Sequence, residues 1–424
     1  FHIDEARPDP GRVTIRRLNR MEYHHTVRDL FGIDLDIARE VPPDDTAFGF
    51  DNIGDALTLS PALLETYLNL AEKVVANVVA TDGPRRPRFE LDPRRFRNSR
   101  LDDGRVEQVA QVELKHAGRH RAEVQFRLGG FRASTGDYDV AMDFGGTRLA
   151  EQAVNDGGEK TYVLGGEVDL PAGKHALTLT TTPKGGGDRG RSLTLFPRGS
   201  VVGPLDGDVF EYPETHRRVF FDGPAPEDPA ARRAFRRPAG EATVDRLADI
   251  ATEGGSFEAG VARAIAAVLS SPRFFYRAEL QPNPDEPAEV RPLDDYALAS
   301  RLSYLLWLSL PDEELARLAA EGKLRDDVPG QLRRMLAGPK SDRFFEDFAG
   351  QWLRTRNILL APINQRDLGR IDPLRFPMKR ETEMLFEHVA RKGRDLVELL
   401  TADYSFLNQR LAEHYGVEGV RGDE

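Results

Sequence analysis

The stretch HRAEVQFRL, residues 120–128, alternates strictly. Ala122, Val124, Phe126 and Leu128 fall on one side and Arg121, Glu123, Gln125 and Arg127 on the other, the period of a strand with one buried face. A helix would scatter the same residues around its circumference. Similar runs surround it: VAQVEL (109–114), YDVAMDF (138–144), TYVLGGEVDL (161–170), HALTLTTT (175–182) and SLTLF (192–196), punctuated by glycine. In DLPAGKHALTL (169–179), Pro171 and Gly173 set a bend before a strand. Short, turn-separated, alternating strands define an antiparallel β-sandwich of jelly-roll type.

On both sides the period changes to that of a helix. Tyr23, Val27, Leu30 and Phe31 recur at helical spacing, with Gly32 as the stop. Ser60 reads as an N-cap before Pro61, followed by a stripe of Leu63, Leu64, Tyr67, Leu68, Ala71 and Val75. After the turn-rich residues 201–229, ATVDRLADIA (242–251) and SFEAGVARAIAAVLSS (256–271) form a helix pair capped at Ser256. The Pro-rich QPNPDEPAEVRP (281–292) reads as a linker, and dense helical pattern follows it. The fold class expected is therefore multidomain α+β, mainly α-helical modules with an inserted antiparallel β-sandwich. The expected divisions are 1–85, a helical opening module; 86–204, the sandwich; 205–288, a linker and helical module; and 289–424, a second helical module that stops without a capped helix.

Composition narrows the chemistry. No stretch of the 424 residues approaches the ~20 apolar residues of a membrane span, and a net charge of −11 argues against nucleic acid as a partner. Without cysteine the chain forms no disulfide, thiolate zinc site or iron–sulfur cluster, and no covalent c-type haem, whose C-x-x-C-H attachment needs thiols. The first residue is Phe1 and no signal-peptide pattern follows, so the chain reads as a processed or excised piece.

Candidate sites come from loops and odd residue pairs. His24 and His25 project ~100° apart on one helix, which suits separate structural roles better than a shared metal. GGGDRG (185–190) has the letters of a dinucleotide fingerprint, but a strand follows it where a helix is needed, so a hairpin tip is expected. PLDGDVFEYPETH (204–216) gathers Asp206, Asp208, Glu211, Glu214 and His216. Oxygen-rich loops suit Ca²⁺, and Asp206, Asp208 and Glu211 are the expected ligands; a solvated acidic turn is the alternative. On the sandwich, Tyr138, Asp139, Asp143, Asn155 and Asp156 mix an aromatic face with hydrogen-bonding groups, the combination sugars need. Glu381, Glu383, Glu387 and His388 read as a solvated helix surface, and Trp307 and Trp352 as core.

Several stretches together resemble one known group. RLNRMEYHHTVRDLFGID (17–34), FGFDNIGDALTLSPALLETYL (48–68), RAFRRPAGEATVDRLADI (233–250), VLSSPRFFYRAEL (268–280), LDDYALASRLSYLLWLSLPDEELARLAAEGKL (293–324), FAGQWLRTRNI (348–358) and ADYSFLNQRLAEHYGV (402–417) are similar to planctomycete and myxobacterial proteins built from cytochrome-c-associated domains of unknown function. That resemblance implies a periplasmic or extracellular protein whose sandwich is like a carbohydrate-binding module. It also implies a c-type cytochrome domain or partner that carries the haem, and electron-transfer work on polysaccharide. Two departures stand out: EYHHTVRDL replaces the family's frequent EYRNTVRDL, and the cysteine that relatives often place before AFRRP is missing.

Three functions follow as expectations. The first is the non-haem part of an exported protein, a helical scaffold with a glycan- or partner-binding sandwich. The second is a hydrolytic or oxidative enzyme with its site where sandwich and helices join, using Asp206, Asp208, Glu211 and His216. The third is a purely structural assembly protein.

Overall fold

The computed structural model describes residues 15–33, 35–101, 104–129, 137–155, 160–184, 194–195, 197–220, 230–277, 279, 292–359, 361–363 and 371–422. The 185–190 hairpin tip, Asp156 and nearly all of the 281–292 linker lie outside them. The chain divides into two compact units, one over Asp82–Pro213 and the other from the described residues on either side. The architecture is α+β: mainly helical, with an antiparallel sandwich inserted.

The first strand, β1 (Arg16–Arg17), belongs to the helical unit, and the sandwich follows it in the chain. Its strands are β2 (Arg88–Leu91), β3 (Arg97–Arg100), β4 (Val106–Leu114), β5 (Gly118–Gly129), β6 (Asp137–Phe144), β7 (Thr147–Asn155), β8 (Thr161–Leu170), β9 (Gly173–Pro183), β10 (Thr194–Leu195) and β11 (Arg198–Val202). One sheet runs β8, β5, β11, β2, with β10 also on β5; the other runs β3, β4, β9, β6, β7, all antiparallel. The alternation in β5 is realised: Ala122, Val124 and Phe126 are buried against Val112, Met142, Phe144, Leu177 and Leu179. Where β11 crosses β5, a Cβ at Gly199 would lie 1.9 Å from the Glu123 carbonyl oxygen, so only glycine fits.

The helical unit begins with β1, which pairs with β12 (Tyr276–Arg277). Helices α1 (Arg20–Phe31) and α2 (Pro61–Val78) precede the sandwich. After it come α3 (Glu214–Val219), α4 (Ala230–Phe235), α5 (Glu241–Thr252), α6 (Phe257–Leu269) and α7 (Pro272–Phe275). Then follow α8 (Asp295–Trp307), α9 (Glu313–Ala320), α10 (Val328–Ala337), α11 (Asp342–Trp352), α12 (Arg375–Arg391), α13 (Glu398–Thr401) and α14 (Gln409–Tyr415). Ser60 and Ser256 cap α2 and α6, and Gly32 ends α1 at φ 67°, as their sequences dictate.

One core cluster joins both sides of the insertion. Tyr23 of α1 meets Tyr67 of α2 at 4.6 Å and Phe274 of α7 edge-on at 5.7 Å, and Tyr304 of α8 belongs to the same cluster. Helices α5 and α6 touch at Gly260, where an added Cβ would lie 1.8 Å from the Ala251 carbonyl oxygen.

Tertiary packing corrects several expectations. Leu64 and Leu68 stand 36% and 41% exposed, while α2 turns Tyr67, Leu70, Ala71, Val74 and Val78 inward. Trp307 is buried as expected, its Nε1–H donating to the Met335 carbonyl at 3.2 Å, but Trp352 is 45% exposed at the end of α11. Glu383 is not on a solvated surface. It is buried in α12 and held by Lys379 at 2.6 Å, with Arg380 and Thr355 beside it.

Candidate functional site

The sandwich residues singled out for sugar separate along one hairpin. Tyr138, Asp139 and Asn155 lie at one end of the β6–β7 pair, where Asp137 stands opposite Asn155. Asp143 lies at the other end, about 13 Å further along at the rise of a strand. Tyr138 is half-buried against the sandwich core. Asp139 pairs with Lys184 at 2.6 Å and Asp143 with Arg148 at 2.7 Å. Asn155 accepts the Tyr162 hydroxyl through its backbone and side-chain oxygens at 2.9 and 3.2 Å.

The acidic loop is built from ion pairs. Asp206 accepts from Arg119 Nη2 at 2.6 Å and from the Arg119 N–H at 3.2 Å, and Arg119 holds its carboxyl below the usual range. Glu211 lies 3.6 Å from Lys115 Nζ while its backbone bridges Arg85, and Asp208 is exposed. Among the described residues no three His, Asp or Glu side chains converge as a metal site. An arginine-bound Asp206 and a lysine-facing Glu211 do not fit a calcium cage. His216 belongs to the helical unit, buried, with Nδ1 accepting the Ala80 N–H at 3.1 Å; burial lowers its pKa. Covalent haem does not fit either, since no thiol exists to bind it.

The helical unit contains a cavity of about 440 Å³. Its floor starts at α1, where Asn19 and Glu22 form a reciprocal cap: Asn19 Oδ1 accepts the Glu22 N–H at 2.8 Å and Glu22 Oε2 accepts the Asn19 N–H at 3.0 Å. The other Glu22 oxygen faces Arg16 and, at 3.5 Å, Arg277. Asn19 Nδ2 donates to Asp51 at 2.9 Å, and Gln351 Oε1 accepts the Asp51 N–H at 2.7 Å. Gln351 Nε2 in turn donates to Asp347 at 2.8 Å. Arg356 closes the network by binding both Asp51 and Asp347.

Part of the lining is apolar. Phe50 and Phe344 flank Phe348 at 5.8 and 5.4 Å, beside Leu305 and Leu308. Arg301 grips Glu279 through two bonds of 2.5 and 2.7 Å at the rim. The Arg277 guanidinium sits 4.5 Å over the Tyr304 ring, whose hydroxyl is fixed by Thr26 at 3.0 Å and Arg236 at 3.1 Å.

Burial and crowding set the charges. Burial pushes the Asp347 carboxyl up to about 6; Arg356 opposes the rise, and Asp51 and Glu22 add to it. Burial, with Arg16 and Arg236 nearby, brings Arg277 down to about 10. The Nε atoms of Arg16 and Arg277 are buried without a hydrogen-bond partner among the described residues. The lining thus offers an acid whose pKa burial raises, two arginines that share one glutamate, and aromatic side chains.

The sequence reading passed over this site. A local signal existed in NRME (19–22), a capping box whose glutamate is free to serve a second purpose. The rest comes from residues near 50, 277, 301 and 347, which only folding unites.

Comparison with known proteins reaches the same segments. Residues 16–80 match the family described as PSD3, protein of unknown function (DUF1587); 228–279 match PSD5, protein of unknown function (DUF1595); and 293–417 match PSD4, protein of unknown function (DUF1592). No curated protein matches the chain. Among solved structures, the C-terminal CBM6 of a laminarinase from Zobellia galactanivorans aligns at 12% identity and a TM-score of 0.19, covering 28% of this chain and 100% of its own. A CBM35 from Cellvibrio japonicus aligns at 14% identity and a TM-score of 0.20, covering 28% and 94%. A CBM36 solved with calcium and xylotriose aligns at 10% identity and a TM-score of 0.18, covering 27% and 97%. The cavity draws residues from all three matched segments, which follow one another in the order PSD3, PSD5, PSD4, with the sandwich between the first two.

Proposed function

We propose that this chain is a saccharide-binding protein in which the cavity of the helical unit holds one or two sugar units and the sandwich is an accessory holding module. The observation that carries the reading is the lining: Phe344 and Phe348 alternate with Asp347 and Gln351 along one face of α11, and Asn19 and Glu22 at the start of α1 line the same cavity. Aromatic faces pack against the C–H groups of a sugar while carboxylates and amides satisfy its hydroxyls, and about 300–1,000 Å³ is the ordinary size of a small-ligand pocket. The resemblance in sequence extends the proposal to an exported protein working beside a c-type cytochrome that carries its own haem.

The test is calorimetric titration of the chain with a panel of mono- and disaccharides, beside a Leu305→Trp variant. Leu305 is 55% exposed on the cavity wall, so an indole there fills space without disturbing the core. Binding by the wild type that is lost in Leu305→Trp supports the proposal; equal binding by both removes the cavity from it.

A second reading is acid–base catalysis in the same cavity. Asp347, pushed up to about 6, can hold a proton near neutrality beside the arginine-bound Glu22, and two carboxyls with different environments are the equipment of glycoside hydrolysis. Release of reducing ends from oligosaccharides, abolished by Asp347→Asn, would establish it. No release from any substrate of the panel would leave binding alone.

A further inference from the structure

Arg277 is the least satisfied charge in the cavity. Its contacts to Glu22 and to the Ser300 carbonyl are long, at 3.5 and 3.4 Å, and its Nε has no partner among the described residues. Its side chain is only 12% exposed, so water does little to compensate. Arg16 stands beside it with its own Nε unpartnered; its Nη1 donates to the Asn52 carbonyl at 2.8 Å, and its Nη2 meets the same Glu22 carboxylate that Arg277 faces. A buried guanidinium left with only long contacts, as Arg277 is, is costly, and a planar oxyanion is the partner its geometry fits.

The count of charges gives the valence. Arg16, Arg277 and Arg301 line the cavity against Glu22, Glu279 and Asp347. Glu279 is taken up by Arg301 and Asp347 by Arg356, which leaves Arg16 and Arg277 facing the one carboxylate of Glu22. The surplus is one positive charge. A single negative charge on the ligand balances it, whereas a dianion overshoots.

We infer that the ligand of this cavity is a monoanionic sugar, a uronate whose carboxylate completes the coordination of Arg16 and Arg277 while its ring lies against Phe344 and Phe348. This rests on the saccharide reading above and adds the charge. It requires that the aromatic side chains and the arginine pair act on one molecule, and both line the same 440 Å³ cavity.

The experiment titrates the intact chain at pH 5.5 and low salt with glucuronate, galacturonate, their methyl esters, the neutral parent sugars and glucose 6-sulfate. Uronates binding at least tenfold tighter than their esters and parents, with the advantage shrinking in 0.5 M salt as screening demands, supports the inference. Equal binding of uronate, ester and neutral sugar overturns it while leaving saccharide binding intact. Binding of none overturns both. Tighter binding of the sulfate ester than of either uronate overturns the choice of carboxylate. Arg277→Gln should lose the uronate preference. The ester comparison needs no variant, so the inference stays exposed to refutation even where Arg277→Gln does not fold.

Discussion

Asp51 and Arg356 lie 305 positions apart and meet at 2.9 Å. Arg356 also binds Asp347, so one guanidinium ties the loop after α1 to the C-terminal half of the helical unit. Arg356→Met leaves two acids without their cation. Removing one partner of a fully buried pair costs about 3–5 kcal/mol. Arg356 is 35% exposed, and water moderates the loss, so about 2 kcal/mol is expected from urea unfolding. Adding Asp51→Asn should recover part of it, since the two substitutions act on one contact. Strict additivity would contradict the network.

Arg17 and Asp44 form a tighter pair. They are 2.7 Å apart with side chains 4% and 3% exposed, and Arg17 also donates to the Thr58 and Leu18 carbonyls. Arg17→Met strands Asp44 and two carbonyl groups, so a loss of about 3–5 kcal/mol is expected by urea unfolding. A loss below 1 kcal/mol would show that the pair contributes nothing net.

Two buried groups titrate in opposite senses. Burial, with Arg343 and His24 adding to it, holds His25 down to about 3; Asp29 opposes and Arg28 assists. From about pH 6.5 to 4 the unfolded chain takes up a proton at His25 that the folded chain refuses, so this contribution falls as pH falls, by about 1.4 kcal/mol per unit. Asp347 does the reverse. Between about pH 6 and 4 the folded chain keeps a proton that the unfolded chain has released, so its contribution grows as pH falls. The two nearly cancel in the wild type. Asp347→Asn should therefore lose about 2–3 kcal/mol on going from pH 6.5 to 4, whereas His25→Gln should be more stable at pH 4.5 than at 6.5. Parallel pH profiles in both variants would contradict these assignments.

Gly260 sets the distance between α5 and α6. Its Cβ would fall on the Ala251 carbonyl oxygen, a backbone atom that cannot swing aside. Gly260→Val should cost about 1–3 kcal/mol by forcing the helices apart. The same substitution at Gly240, where nothing lies within 4 Å, should cost far less when both are followed by thermal unfolding.

Much of the fold was legible. The alternation of Ala122, Val124 and Phe126 and the caps at Ser60 and Ser256 are local rules that packing did not overrule. Leu64, Leu68, Trp352 and Glu383 misled because apolarity and charge are set by residue type, while burial is set by which neighbour arrives. Glu383 is buried because Lys379, Arg380 and Thr355 satisfy it, and Trp352 is partly exposed because α11 ends there. The cavity was the least legible part. Glu22 sits in a recognisable capping box, but Arg277 and Asp347 join it only through tertiary contacts across some three hundred residues. No local period carries that information.

The most direct measurement is hydrogen exchange along the intact chain with and without saturating uronate. Slowed exchange in Arg16–Tyr23 and in Asp342–Trp352, the segments that carry Arg16, Glu22 and Asp347, with no change in Asp137–Asn155, is the expected result. Protection confined to Asp137–Asn155 would place the ligand on the sandwich and contradict the assignment of the cavity as the site.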